Sequence, residues 1–225
     1  MAFVDIAGFK SIMKDKNEAR RVLNGFYNEG YDCLDSNDNT PSVDGLFVSD
    51  CGVLFVRHKH PGLIRLCDLN LLLDKICKLN RNMLNKDIML TTSISYGDFN
   101  YEERNEHRSI GKSMLYGDAY LDAYLDNEKG SPKLIPTQCR IVINEYDNIM
   151  PNIDSAISQD SRLRHPEISK LHKSNGRKIY YMYYWMLNDL NEMQSYQNQL
   201  NLTKDAQYRE ILALTKSKFS PSNSN

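Results

Sequence analysis

The sequence predicts an α+β sandwich, in which helices cover one face of a mainly antiparallel sheet. Three observations lead to this class. A strand pattern at residues 2–6 runs through a glycine turn into a helical pattern, a hairpin pattern follows at residues 43–57, and a long amphipathic helix then precedes a further strand. This order of elements is typical of a sheet with helices packed on one side.

The individual elements are identified from the spacing of apolar residues, which recur every second residue in a half-buried strand and every three to four residues in a helix. Polar segments at 35–42 and 98–108 are predicted to be loops, and further helical segments are expected between residues 143 and 178. The predicted elements are a strand at 2–6, a helix ending at 34, hairpin strands at 43–48 and 52–57, a helix at 63–84, a strand at 88–97, a helix at 117–127, strands at 139–143 and 178–185, and a helix at 187–216.

The composition is that of an ordinary globular protein. Of the 225 residues, 41% are hydrophobic and 25% are charged, and the formal net charge is -1 at pH 7. This balance gives no overall attraction to nucleic acid or to an anionic membrane. No apolar run approaches the roughly 20 residues that a membrane span requires, and the N-terminus lacks a signal-peptide pattern. We therefore expect a cytoplasmic protein, whose five cysteines are reduced packing residues.

Two aspartates are set in apolar strand patterns. Asp5 lies within the first predicted strand, and Asp50 lies at the tip of the predicted hairpin. A carboxylate among core-forming residues is costly to bury unless a cation or hydrogen bonds compensate its charge. Because carboxylate oxygens are preferred ligands of Mg²⁺ and similar ions, the pair predicts a divalent metal site. Either residue taken alone is more typical of a helix cap or an ordinary turn.

Four short motifs, in the same order, resemble those of class III nucleotide cyclases. Residues 3–9 resemble the first-strand signature, Asp50 falls at the second metal aspartate, residues 91–97 resemble the Gly-Ile-x-x-Gly strand, and residues 116–119 resemble the turn before the catalytic helix. The resemblance implies two divalent cations, Mg²⁺ or Mn²⁺. Their implied ligands are Asp5, Asp50 and the carbonyl group of Ile6. The implied phosphate-binding residues are Ala7, Gly8, Phe9 and Lys10.

The residues that read adenine in adenylate cyclases are missing. Their lysine and aspartate positions fall on Leu46 and Met114, and the asparagine and arginine of the catalytic helix fall on Leu121 and Leu125. Residues 117–128 are instead similar to the Gly-x-Ala helix pattern of the pyrimidine cyclases in Pycsar anti-phage systems. The positions that would border the base and ribose are Leu46, Met114, Gly117 and Leu121. A replacement for the missing arginine is expected among Arg104, Arg108 and Lys112.

This second resemblance implies a lyase that converts UTP or CTP to cyclic UMP or cyclic CMP and pyrophosphate. It implies a head-to-tail homodimer with shared active sites, and a role in antiviral defence through a separate effector that the cyclic nucleotide activates. No nucleic acid and no membrane span are expected. The catalytic domain would occupy residues 1–186, followed by a helical extension at 187–219 and a disordered tail at 220–225.

Two other functions remain open at this point. A catalytically silent cyclase-like module, which binds nucleotide or only dimerises, is favoured by Leu121 and Leu125, since these replace the catalytic asparagine and arginine. A purine nucleotide cyclase is disfavoured by Leu46 and Met114. The choice between UTP and CTP depends on one acceptor or donor group of the base, and a single side chain or ordered water can set it.

Overall fold

The computed structural model of the chain describes most of the first 144 residues and part of the remainder. The described residues are 1–34, 42–57, 66–105, 111–131, 133–144, 168–174, 178–183, Trp185, Arg209 and Ala213. The predicted extension at 187–219 is therefore outside the described residues except at Arg209 and Ala213, which are helical, and the tail at 220–225 is outside them entirely.

Over the described residues the chain forms nine strands and four helices. None of these helices has the length and apolar character needed to cross a membrane. The elements are β1 (Ala2–Ile6), α1 (Phe9–Ile12), α2 (Lys16–Leu34), β2 (Ser42–Val48), β3 (Cys51–Arg57), α3 (Leu66–Leu84), β4 (Leu90–Ser95), β5 (Asn100–Asn105), β6 (Gly111–Tyr116), α4 (Asp118–Lys129), β7 (Cys139–Asn144), β8 (Ile168–Ser174) and β9 (Lys178–Tyr183).

Seven of the strands form one sheet, in the order β2-β3-β1-β4-β7-β9-β8. Strands β4 and β7 are parallel, and the other neighbours are antiparallel. The mixed α+β class with a mainly antiparallel sheet is thus confirmed. Strand β1 lies between β3 and β4, so both of its edges are hydrogen-bonded.

Helices cover both faces of this sheet, so the prediction that they cover one face was wrong. Val4 and Leu54 pack in the same core as Phe26 of α2 and Leu79 of α3. On the other face, Phe3, Val53 and Phe55 pack against Ala123 of α4. The physical reason is that β1 is apolar on both faces, since Ala2, Val4 and Ile6 alternate with Phe3.

Three strands were not predicted, namely β5, β6 and β8. Residues 98–108 were predicted to be a polar loop, but β5 and β6 pair as a separate two-stranded antiparallel sheet. Its strands carry mainly polar and charged residues, so apolar alternation is too weak to mark them. Strand β8 lies where helical segments were predicted, and it pairs with β9 through an irregular register between Lys170 and Lys173.

Gly117 fixes the start of α4. Its φ angle is 126°, a conformation that side chains rarely adopt, and a Cβ atom at this position would lie 2.2 Å from the carbonyl oxygen of Asp98. The same carbonyl oxygen accepts a hydrogen bond from the Ala119 N–H at 3.1 Å. The close approach of two backbone segments therefore requires glycine here, and it sets where α4 meets the sheet.

Candidate functional site

The sheet register brings the two predicted metal aspartates to the same end of the sheet. Asp5 is paired with Cys51 of β3 on one side and with Thr91 of β4 on the other. Asp50 lies in the turn between β2 and β3. Its carbonyl oxygen accepts a hydrogen bond of 2.9 Å from the N–H of Ile6, the residue after Asp5. The hairpin turn is therefore tied to the end of β1 by the backbone itself.

The electrostatics of this region are dominated by carboxylates. Burial raises the pKa of Asp5 to about 7, and the negative charges of Asp50 and Glu128 raise it as well. The positive charges of Lys10 and Lys133 act in the opposite direction but do not offset the rise. Asp5 in its ionised form therefore lies in a half-buried site whose negative charge the surrounding protein does not neutralise.

Cys51, on the neighbouring strand β3, lies in the same negatively charged environment as Asp5. Burial raises the pKa of its thiol to about 11, and Asp50, Asp5 and Glu128 contribute in that order. The Cys51 Sγ contacts the carbonyl oxygen of Val48 at 3.2 Å. Without a bound cation, the thiol is therefore protonated at neutral pH.

The donor set fits a hard divalent cation. Asp5 and Asp50 offer carboxylate oxygens, and a cation would relieve the repulsion that raises the pKa of Asp5. Within the part of the chain that the structure describes, no group of three or more His, Cys, Asp or Glu side chains is arranged to hold a metal ion. Mg²⁺ commonly binds through one or two carboxylates, with water and substrate phosphates completing its coordination. The residues present therefore fit an open metal site, in which water and substrate supply the remaining ligands. They do not fit a site in which protein groups supply every ligand.

Only some of the backbone N–H groups in the predicted phosphate-binding turn, residues 7–10, are available to bind phosphate. The N–H of Ala7 donates to the carbonyl oxygen of Met89 at 2.9 Å, so this group is already engaged. Gly8 has a φ of 77°, and Phe9 and Lys10 open α1, where N–H groups have no intrahelical acceptor. Because α1 has only four residues, a helix dipole contributes little. The available donors are therefore those of Gly8, Phe9 and Lys10.

The residues predicted to border the base are spread over several elements. Leu46 of β2 is paired with Val53 in the large sheet, whereas Met114 of β6 is paired with Glu102 in the small sheet. Leu121 is 52% exposed on α4. Gly117 precedes this helix as its cap. The four positions therefore come from β2, β6, α4 and the residue that precedes α4.

Leu121 belongs to an exposed apolar patch on α4. This α4 patch consists of Leu121, Tyr124 and Leu125, which are three and four residues apart and so share one face of the helix. Large apolar side chains that are exposed together are typical of a surface that another molecule covers.

Of the three cations predicted to replace the missing arginine, Arg104 and Lys112 are paired across the β5–β6 hairpin, and Arg108 lies outside the described residues. The cations whose charge acts on Asp5 are Lys10 and Lys133 instead. The sequence reasoning missed both Glu128 and Lys133 as neighbours of the site. Glu128 ends the Gly-x-Ala helix pattern of residues 117–128, but that pattern did not place it beside Asp5, and Lys133 lies outside it. The folding of α4 and the segment after it over β1 brings both near Asp5.

Helix α4 is fixed to the sheet by buried polar contacts near its C-terminal end. Arg140 of β7 forms an ion pair of 2.7 Å with Asp126, and the two side chains are 1% and 3% exposed. Ser93 of β4 donates a hydrogen bond to the same carboxylate at 2.7 Å. The last turn of α4 is therefore held in place directly beside the Asp5 end of β1.

No protein-family model and no curated protein matches the chain. Among solved structures, the chain is similar to that of a bacterial light-regulated adenylyl cyclase, with 14% sequence identity and a TM-score of 0.49. The similarity covers 95% of this chain and 55% of the cyclase chain. The chain thus spans about half the length of that protein.

Proposed function

We propose that this chain is a metal-dependent nucleotide cyclase that converts a pyrimidine nucleoside triphosphate, UTP or CTP, to its 3′,5′-cyclic monophosphate and pyrophosphate. The observation that carries the proposal is the meeting of Asp5 and Asp50 at one end of the sheet, where burial and the charge of Asp50 raise the pKa of Asp5 and the charges of Lys10 and Lys133 do not offset the rise. The resemblance of the four sequence motifs supplies the reaction class. The absence of an adenine-reading lysine and aspartate at Leu46 and Met114 favours a pyrimidine over a purine.

Each group of the site has a part in this reaction. Asp5, Asp50 and the Ile6 carbonyl would hold two divalent cations, Mg²⁺ or Mn²⁺, which when bound polarise the α-phosphate and favour the 3′-alkoxide. The N–H groups of residues 8–10 would bind the β- and γ-phosphates. The reaction joins the 3′-oxygen, whose proton passes to solvent water, to the α-phosphorus. It breaks the bond between that phosphorus and the oxygen that bridges to the β-phosphate, so pyrophosphate leaves. The Lys10 ammonium, whose charge reaches Asp5, would stabilise the charge of that leaving group.

The proposed enzyme is a head-to-tail homodimer. The exposed α4 patch supports this assembly, because a second copy covering it would remove large apolar side chains from water. In such a dimer, Leu121 and Gly117 of one copy would complete the base and ribose pocket beside the aspartates of the other. The missing transition-state cation would come from Arg104, Arg108 or Lys112 of either copy. The product would act as a messenger in bacterial antiviral defence and would activate a separate effector.

A second candidate is a catalytically silent module with the same fold. It is favoured by Leu121 and Leu125, which are exposed on α4 where the resembled cyclases carry an asparagine and an arginine. Such a module would bind nucleotide and metal, or only dimerise, without forming product.

The test is to incubate the purified chain with Mn²⁺ and each of UTP, CTP, ATP and GTP, and to identify products by chromatography and mass. A cyclic pyrimidine monophosphate is expected from the wild type. The variants Asp5→Asn and Asp50→Asn preserve shape but remove one charge each, and both are expected to lose product formation by at least about 100-fold. Asp44→Asn is the matched control, since Asp44 lies on the same hairpin in an ion pair with Arg57.

The outcomes separate the candidates. Product from the wild type and from Asp44→Asn, but from neither site variant, supports the pyrimidine cyclase. Activity that survives in both site variants would exclude the metal role of these aspartates. No product from any nucleotide favours the silent module, and a purine product would overturn the base preference.

A further inference from the structure

The residues that follow Asp126 on α4 are fixed over the metal aspartates. Asp126 accepts two hydrogen bonds from Arg140, at 2.9 Å from Nε and 2.7 Å from Nη2. The Arg140 guanidinium also lies 4.7 Å from the centre of the Tyr180 ring. Planar pairing and stacking together leave this helix end little freedom to move. Asn127 and Glu128 therefore have defined positions relative to β1 and β4.

Asn127 is connected to Asp5 through Thr91. Thr91 is the direct antiparallel partner of Asp5, so the two side chains leave the sheet on the same face. The Thr91 Oγ1 donates a hydrogen bond to Asn127 Oδ1 at 3.2 Å. Thr91 is 8% exposed and Asn127 is 5% exposed. The metal aspartate, the threonine and the asparagine thus form a continuous row under the last turn of α4.

One polar atom in this row has no partner. The Asn127 Nδ2 is buried from solvent and makes no hydrogen bond to any residue that the structure describes. A buried N–H group without an acceptor is costly, and native proteins retain such groups where a ligand, a water or a moving side chain completes them. The Thr91 hydroxyl cannot serve as donor to Asp5, because its hydrogen is given to Asn127. The Asn127 Nδ2 is therefore the unused donor of this row.

We propose that Thr91 and Asn127 are positioning residues for the metal ligand Asp5. Thr91 fixes the plane of the Asn127 amide. The Asn127 Nδ2, which has no partner among the residues that the structure describes, would donate a hydrogen bond to the Asp5 carboxylate once that side chain turns to bind a cation. This inference rests on the metal site of the proposed function. Ligating carboxylates are generally held by such outer hydrogen bonds, and the loss of one typically weakens metal binding by about 10- to 100-fold.

The test is Mn²⁺ binding to the full chain without nucleotide, followed by the loss of the free-ion electron paramagnetic resonance signal. Thr91→Val keeps the side-chain volume and removes the hydroxyl, and Asn127→Leu removes the amide. Both are expected to bind Mn²⁺ about 10- to 100-fold more weakly than the wild type. Thr91→Ser, which restores the hydroxyl, is expected to bind within about threefold of the wild type.

The chain offers a matched control for each change. Thr92 is fully buried on the opposite face of β4, so Thr92→Val removes a hydroxyl from the same strand without touching the row. Asn80 is a buried asparagine of α3 whose amide donates to the Ile76 carbonyl at 2.9 Å, so Asn80→Leu controls for the loss of a buried amide. Both controls are expected to leave Mn²⁺ affinity unchanged.

The failure of this inference and that of the metal site are distinguishable. If the wild type binds Mn²⁺ and Asp5→Asn does not, but Thr91→Val and Asn127→Leu bind as the wild type does, the positioning role is overturned and the metal site stands. If the wild type binds no Mn²⁺, or Asp5→Asn binds equally well, the metal site itself is wrong and the inference falls with it. If Asn127→Leu does not fold, the Mn²⁺ affinities of Thr91→Val and Thr91→Ser test the positioning role by themselves.

Discussion

Arg140 and Asp126 form an ion pair in which neither side chain is more than 3% exposed, and this pair joins β7 to α4. Arg140→Met keeps most of the side-chain volume but leaves the Asp126 charge buried and unpaired. We expect this variant to lose about 3–5 kcal/mol of the free energy of unfolding. The measurement is urea unfolding followed by the fluorescence of Trp185, the single tryptophan of the chain, which is buried.

A surface pair gives the comparison. Arg21 and Glu18 are about half exposed on α2, so Arg21→Met is expected to change the free energy of unfolding by less than about 1 kcal/mol. The double variant Arg140→Met with Asp126→Asn removes both buried charges and should recover much of the lost stability. Equal losses for the buried and the surface pair would contradict this account.

The raised pKa of Asp5 predicts that the free energy of unfolding of the metal-free protein depends on pH. Its pKa is 3.8 in an unfolded chain and about 7 in the folded protein, so between these values the folded state binds more protons. The contribution of Asp5 to stability is therefore lost as pH rises from about 4 to 7. We expect Asp5→Asn to be more stable than the wild type at pH 8 in EDTA, with a difference that shrinks by pH 4.5.

Unfolding in urea at pH 4.5, 6 and 8 measures this effect. Asp50→Asn serves as an internal control, because it removes the second cause of the shift and leaves burial, the first cause, in place. It should reduce the slope of stability against pH without abolishing it. A stability difference between Asp5→Asn and the wild type that is the same at all three values would contradict the prediction.

The α4 patch predicts the oligomeric state. Leu121 is 52% exposed, so Leu121→Asp should leave the monomer folded while placing a charge in the proposed interface. We expect the wild type to sediment as a dimer and this variant to dissociate at least tenfold more readily. Tyr31→Asp, at a 46% exposed aromatic residue of α2, should leave the dimer intact. A wild type that is monomeric at all concentrations would rule out the assembly.

Gly117 and Gly8 are expected to differ in how much of the free energy of unfolding is lost when each is replaced by alanine. Gly117→Ala adds a Cβ atom 2.2 Å from a backbone oxygen, so α4 must shift, and we expect a loss of at least about 3 kcal/mol. Gly8→Ala has open space around the new atom and requires only a left-handed residue, which costs about 1–2 kcal/mol. Urea unfolding compares them directly. A larger loss for Gly8→Ala would be inconsistent with the packing around Gly117.

The elements that the sequence predicted best are those with strong apolar periodicity. Strand β1, the β2–β3 hairpin and helix α3 agree with the structure to within a few residues where it describes them. The β5–β6 hairpin was missed because its residues are mainly polar, so neither helix nor strand periodicity marks it. The position of α4 on the second face could not be predicted, since it depends on which sheet residues meet across distant strands.

The candidate site was predictable only where a motif marks it. Asp5 and Asp50 were assigned to the site from their motifs, whereas the effect of Glu128 and Lys133 on Asp5 follows only from the fold. The engagement of the Ala7 N–H by Met89 likewise depends on the chain after α3 returning alongside β1. Thr91 and Asn127 lie in the motif-like segments 91–97 and 117–128, but neither motif indicates that they touch. Their contact across 36 positions follows from the packing of α4 on β4.

The central position of β1 also affects how the chain reaches its native state during synthesis. Its two sheet neighbours begin at Cys51 and Leu90, so β1 leaves the ribosome with neither partner available. At roughly 5–20 residues per second, the Asp5 segment waits on the order of 5–20 s for its second neighbour. An apolar strand with two unpaired edges is then exposed to other nascent chains. Yield at the ribosome should therefore depend on chaperones that shield this segment, even though the finished fold buries all of its apolar side chains.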